Sequence, residues 1–301
     1  MSQLRILILV IVSTVLLQAC SNDGSTDAGK DGTAIDSTIY GLSYSTATYS
    51  GNTDANGHFR YDEGESVTFH IGDIVLGTAN GAAVITPIEM VAGQNSATDP
   101  TVTNIARLVQ SLDDDADLTN GITITEQTRN AALGITLDVN ITPANFETNN
   151  DLLAFLAVTT NGPLRTAFDA QTHLLNTLDL LFIPLPGSWT TTNTLTRSTC
   201  PGEQIGIPQQ YPVSFQKSGA TVTYTLADEF SNNIDVLGNT EGSHIVFGSY
   251  DINEDGGLTT VTSTDLVMHP DGQTITGTDT WTWTDGSVVC DGDAMLSFSK
   301  I

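Results

Sequence analysis

The stretch that decides the architecture is "TITGTDTWTWTDGSVVCDGDAMLSFSK", residues 274–300. Thr alternates with other residues from Thr274 to Thr284, and Trp281 and Trp283 stand two apart, so in a strand they share one face. Asp285-Gly286 interrupts the run and alternation resumes toward Lys300, which is the signature of two antiparallel strands around a tight turn. Working upstream, the same period of two recurs at Val213 and Phe215, at Val222, Tyr224 and Leu226, and in the segments 244–250 and 259–268. Asp-Gly pairs at 255, 271, 285 and 291 each read as a turn. Residues 187–301 are therefore expected to form an antiparallel β-barrel or β-sandwich of about six to eight strands.

Before residue 187 the period changes. In "TVTNIARLVQSLDDD" the residues Ile105, Leu108, Val109 and Leu112 recur three or four apart, an amphipathic helical stripe. Further helices are expected over 125–133, 142–159 and 163–181, with Thr142 as a cap and Pro143 at the first helical position. Residues 99–186 thus read as a helical domain. Residues 35–98 read as a small β domain, with Phe59 and Tyr61, then Val67, Phe69 and Ile71, at period two and with Gly-punctuated turns. The fold class is multidomain β + α: a small N-terminal β domain, a helical middle segment and a C-terminal antiparallel barrel or sandwich.

The first nineteen residues carry one positive side chain, Arg5, then an apolar run, then Leu17-Gln-Ala before Cys20. That order is the order of an export signal. Leu-x-Ala-Cys resembles the lipobox of bacterial lipoproteins, which implies cleavage before Cys20 and a lipid anchor on its thiol. Residues 20–34 then read as a flexible tether. Ser21 after the anchor implies, by the same resemblance, an outer-membrane location in the cell envelope. Cys200 and Cys290 are left as an even pair in an oxidising compartment, and a disulfide between them is expected.

The chain has 9 Lys plus Arg against 35 Asp plus Glu, a formal net charge of −26. This balance repels phosphate backbones and speaks against nucleic acid as a partner. It also favours association with cations.

Two acidic loops have the alternating oxygen donors that Ca2+ takes. The first comprises Asp113, Asp115, Asp117 and Asn120, placed where the helical stripe ends and carboxylates face the negative end of the helix dipole. It lacks the Gly and Glu of an EF-hand, since Leu118 and Ile124 stand at those positions. The second comprises Asn52, Asp54, Asn56 and Glu63, and an Asn-Gly hairpin turn explains part of it without an ion. Neither G-x-S-x-G nor H-E-x-x-H occurs, and no catalytic residue is assigned. Trp189, Tyr250, Trp281 and Trp283 are the candidate ligand-contacting aromatics, core filling being the alternative role.

Two resemblances add to this reading. "SGNTDANGHFRYDEGESVTFHIGDIVLG", "LVQSLDDDADLTNGI" and "AFDAQTHLLNTL" resemble an uncharacterised family of exported β/helical modules of Gram-negative surface lipoproteins. Gly187-x-Trp189 resembles the opening of lipocalin-like barrels. Together they imply an envelope protein that binds a small molecule, a glycan or a protein through its C-terminal β domain. An extracellular polymer hydrolase and a structural or adhesive envelope protein are the alternatives.

Overall fold

The computed structural model of the protein describes residues 29–94, 96–159, 162–228, 230–254 and 256–301. The leader, Cys20 and most of the expected tether lie outside the described residues, as does Asp255. The chain runs β1 (Lys30–Ala34), β2 (Ile39–Tyr40), β3 (Ser43–Ser45), β4 (Ser50–Asn52), β5 (His58–Tyr61), β6 (Ser66–Ile71), β7 (Ile74–Asn80) and β8 (Val84–Ile85). Then come α1 (Pro100–Ser111), β9 (Ile122–Thr123), α2 (Glu126–Ala131), α3 (Pro143–Glu147), α4 (Asn150–Thr159) and α5 (Ala167–Leu181). The last part contains β10 (Gly187–Ser198), β11 (Pro208–Ser218), β12 (Thr221–Ala227), β13 (Asn233–Glu241), β14 (His244–Phe247), β15 (Tyr250–Glu254), β16 (Gly257–Met268), β17 (Thr274–Thr284) and β18 (Val289–Lys300).

The tether ends earlier than residue 34. Lys30–Ala34 pair antiparallel with β5 and parallel with β8, so backbone bonds on both edges hold a segment whose side chains alone read as linker. Gly32 is needed there because a Cβ would meet the Phe59 ring. A four-stranded sheet in the order β4-β3-β6-β7 and a short parallel β2-β9 pair complete the N-terminal β structure.

These sheets share one hydrophobic core with α1, α3 and α4, while Ala170, Leu174 and Leu178 of α5 pack with Val102 and Ala106 of α1 in a second, smaller cluster. Phe59, Val67, Phe69 and Ile71 from the strands lie in the same cluster as Ile105, Leu108 and Val109 of α1, Phe146 of α3 and Phe155 of α4. The change of period at residue 99 marks a change of secondary structure within one packed unit. Asp99 caps α1 by accepting from Thr101 N and Val102 N, and Pro100 follows at the first turn. The expected helix over 142–159 is two helices. Asn149 Oδ1 accepts from Asp151 N at 2.9 Å and Leu152 N at 3.0 Å, a fresh cap that restarts the chain as α4.

The C-terminal part is a closed barrel, not a sandwich. Strands β14-β13-β12-β11-β10-β18-β17-β16 neighbour one another in that order, and β14 pairs back onto β16 to close an eight-stranded antiparallel ring. Short β15 pairs with the other half of the same β16 edge, so β14 and β15 act as one interrupted wall strand. The interruption lies beside a bulge in β16 between Val261 and Ser263, which supplies local bending. The Asp-Gly pair at 291 is not a turn. Gly292 lies within β18 opposite Trp281, and a Cβ there would stand 2.3 Å from the indole, so its signal is close ring approach.

One end of the barrel is packed shut. Phe182 and Leu185, just after α5, pack with Trp189, Phe215, Tyr224, Phe247 and Phe298. Phe215 and Tyr224 stack at 5.1 Å, and Phe215 meets Phe298 edge-on at 5.6 Å. Glu89 of the N-terminal unit accepts from Ser243 N and Oγ at 2.9 and 3.0 Å, tying the β13–β14 turn to it.

Candidate functional site

The inner face of β17 is made by Ile275, Gly277, Asp279, Trp281 and Trp283, by the alternation of a strand. Ile275 is fully buried, Asp279 is 7% exposed, and Trp281 and Trp283 are half-buried. On β10 the same gradient runs from buried Trp189 and Thr191 to half-buried Asn193 and Leu195. On these two strands the inward side chains become wetter away from α5, whereas on β16 and β18 Thr259, Val261 and Cys290 stay buried, so the end opposite the packed floor is open along the β10 and β17 walls. The register places Tyr250, Val261, Trp281 and Gly292 side by side around one level of the wall. Thr264, Asp279 and Ala294 form the level below. Gly292 and Gly257 provide the flat ground on which the indoles of Trp281 and Trp283 rest, and Trp283 Nε1 donates to Glu254 O at 3.2 Å.

Asp279 is the unusual group at this end. Its Oδ1 is buried with no hydrogen-bond partner, and so is Thr191 Oγ1 nearer the floor. Burial pushes the Asp279 carboxyl up to about 7, and the charges of Glu254 and Asp293 push the same way. Tyr211, whose hydroxyl accepts from Asn193 Nδ2 at 3.4 Å, and Tyr250 are each raised, chiefly by burial and also by the field of Asp279. A carboxylate, two phenols and two indoles therefore converge on the open half of the barrel.

Of the four aromatics named from sequence, Tyr250, Trp281 and Trp283 face this interior. Trp189 does not reach the open half. It is 0% exposed, its Nε1 donates to Leu185 O at 2.9 Å, and Lys300 lies over its ring, so it is the floor. Asp279 was not singled out, although it shares the parity of Trp281 and Trp283 in "TDTWTWT". That parity was the available signal; what strand pattern alone does not reveal is which face closes inward.

A second group of polar residues lies in the N-terminal unit. Asp113, Asp114 and Asp115 follow the end of α1 and each offers an oxygen within 4.8 Å of the others, a set that can coordinate a divalent cation. They border a cleft of about 410 Å³ that Arg165 and Asp169 also line. Asp113 Oδ1 accepts from Thr123 N at 2.8 Å while its Oδ2 is buried without a partner. Burial, with Asp115 and Asp114 beside it, raises the Asp113 carboxyl. Ala116 turns the loop with φ 62°, a conformation that glycine adopts more easily.

The membership of this cluster differs from the spacing-based expectation. Asp117 is turned away, accepting from Thr119 N and Oγ1 at 3.1 and 2.6 Å, and Asn120 Nδ2 donates to Asp115 Oδ2 at 2.9 Å. Asp114 takes the third place. In the second loop Asn52 Oδ1 accepts from Ser43 Oγ, and Asp54 accepts from Asn56 N and His58 N. Glu63 pairs with Lys30 at 3.0 Å. Asn52, Asp54, Asn56 and Glu63 are thus engaged in a cross-strand bond, a turn and an ion pair.

Nearby, Ser37 Oγ lies 3.0 Å from His173 Nε2 and donates to Leu118 O at 2.8 Å. A hydroxyl has one proton to give, so with it on Leu118 O the imidazole donates to Ser37, the reverse of nucleophile activation. Asp36 is fully buried, accepts from Gln110 Nε2 at 2.9 Å and is pushed up to about 7 by burial.

The C-terminal domain is a closed antiparallel β-barrel, a fold consistent with ligand binding in general. Comparison with protein-family models gave no match, and comparison with curated proteins gave none either. Among the described residues no helix is long and apolar enough to cross a membrane.

Proposed function

We propose that the protein is a lipid-anchored cell-envelope protein, held through Cys20 to the outer membrane, that binds a ligand in the open half of its C-terminal barrel. The observation that carries the binding reading is the inward pair Trp281 and Trp283 standing half-buried above the buried Asp279 carboxyl, whose Oδ1 has no hydrogen-bond partner. Two further features support the location. The N-terminal residues have the order of a lipoprotein leader, and the Cys200–Cys290 bridge suits an oxidising compartment.

All three tryptophans of the chain lie in the barrel, so indole emission reports this domain alone. In a panel of amphiphiles, oligosaccharides and peptides, at least one class is expected to change that emission. Trp283→Ala is expected to reduce the change several-fold while leaving the melting profile nearly intact. A panel that leaves emission untouched would sink the reading in favour of an adhesive or structural role. For the anchor, labelled palmitate should enter the wild-type protein and not Cys20→Ser.

The same proposal assigns Ca2+ to Asp113, Asp114 and Asp115, because an all-oxygen set suits a hard cation. Millimolar calcium added to metal-stripped protein should raise the melting temperature read by helical circular dichroism by a few degrees. Asp113→Asn with Asp115→Asn should remove that rise, and a rise that persists would exclude these ligands.

A further inference from the structure

We infer that the open half of the barrel recognises a small organic cation, an ammonium group carried on an apolar body. This rests on the ligand-binding reading and names the ligand's chemistry.

The argument begins with a missing partner. Asp279 is an acid more than nine-tenths buried on the inner wall, with Oδ1 unpaired. Each basic side chain of the barrel is committed elsewhere. Arg197 bonds Asp291 and Asp293 at 2.6 and 2.5 Å, Lys217 bonds Asp179 at 2.5 Å, and Lys300 bonds Pro184 O over the Trp189 ring. His244 is bonded to Asp265, and His269 to Thr276. No cation of the barrel's own therefore neutralises Asp279, and Glu254, whose field it feels, adds to the negative potential, while Asp293 lies opposite Thr280 on the outer face in its pair with Arg197.

The surroundings select the kind of cation. A metal ion wants several oxygens converging at short range, and one carboxylate among rings is a poor set for it. The inner wall around Asp279 carries instead the indoles of Trp281 and Trp283 on the same strand face and the phenols of Tyr211 and Tyr250. Such rings attract alkylammonium groups, which shed water more easily than metal ions and suit a desolvated acid. The loops at the open end add Ile205, Ile207, Phe230 and Val288, all exposed, a rim that suits an apolar body. An anionic ligand meets the wrong sign throughout.

The test compares choline with 3,3-dimethylbutan-1-ol, its uncharged isostere, by indole emission and calorimetry on the purified protein. Choline is expected to bind at least tenfold more tightly than the isostere, and Asp279→Asn to weaken choline at least tenfold with little effect on the isostere. Wild-type affinity should also fall on acidification from about pH 8 to about pH 5.5, as Asp279 takes up a proton. The titratable groups that act on Asp279 are Glu254, Tyr211, Tyr224 and Tyr250 and, from the outer face, Asp293 in its pair with Arg197; the tyrosines stay neutral throughout. Equal affinity for choline and isostere, or choline binding unchanged in Asp279→Asn, would overturn the inference. If choline is silent while a neutral amphiphile or oligosaccharide changes the emission, the cation inference falls and the binding barrel stands. If nothing in either panel changes it, both fall.

Discussion

Replacing Asp279 by Asn is expected to stabilise the barrel at pH 8 by about 2–4 kcal/mol and to flatten its stability between about pH 5 and pH 8. The carboxyl titrates near 7 in the folded barrel and near its ordinary value of 3.8 once unfolded. Between those values the unfolded chain has released a proton that the fold retains, so stability falls as pH rises and levels off above about 7. Below about 4 both states are protonated and the penalty vanishes. Asn keeps the shape and removes the charge, at the expense of whatever the charge is there to bind. Two histidines share the window. His244 is raised by Asp265 against the opposing effect of burial, so its contribution also fades as pH rises, while His269 is lowered by burial and works in the opposite sense. The difference between wild type and Asp279→Asn isolates the aspartate. Urea unfolding followed by indole emission at pH 5.5, 7 and 8 measures it without interference from Asp36, which lies in the other hydrophobic core. Parallel pH profiles for the two proteins would show that Asp279 has a solvated or paired carboxyl in the fold.

Removing the Cys200–Cys290 bridge is expected to cost about 2–5 kcal/mol and to lower the barrel's melting temperature by roughly 10–20 °C. The bridge spans 90 positions, and the first and last barrel strands, β10 and β18, are the ones it joins. Those strands are the only neighbours in the ring that are far apart in sequence, so their pairing carries the largest loop-closure entropy. The bridge stands at the open end, just beyond the last register pair Ser198↔Gly292. Arg197 reinforces the same seam through Asp291 and Asp293, and Thr199 Oγ1 bonds Asp291 Oδ1 at 2.8 Å. These exposed ion pairs are individually weak. Reduced protein, or Cys200→Ser with Cys290→Ser, should therefore melt earlier and exchange the amides of β10 and β18 near residues 197 and 291 first. A melting temperature within about 3 °C of the oxidised protein would place the stability of the seam in its ladder alone.

Much of this architecture is written in periodicity. The alternation at Val222, Tyr224 and Leu226, or at Ile275, Asp279, Trp281 and Trp283, is a local property, because successive strand residues point to opposite faces whatever their neighbours do. The same holds for the stripe Ile105, Leu108, Val109 and Leu112, and for Thr142, whose side chain accepts from Asn145 N as an N-cap. Other features depend on partners distant in the chain. Lys30–Ala34 have no strand-like side-chain pattern and become β1 only because β5 and β8 supply bonds on both edges. Gly292 follows Asp291 as in a turn, yet the indole of Trp281 makes it part of a strand. The acidic run shows the same limit: spacing groups Asp113, Asp115 and Asp117, whereas the folded loop groups Asp113, Asp114 and Asp115.

Local pattern is enough to tell which segments alternate, which wind, where Cys200 and Cys290 stand, and that Trp281 and Trp283 share a face. That the last sheet closes on itself is a property of the folded chain, because closure requires β14 to meet β16 at a register that no local pattern encodes. Closure turned one face into an interior, made Trp189 a floor, and placed Asp279 in low-dielectric surroundings without a counter-charge. A carboxyl's ionisation and need for a partner follow from what surrounds it in space, and that is set by chain segments up to about a hundred residues away.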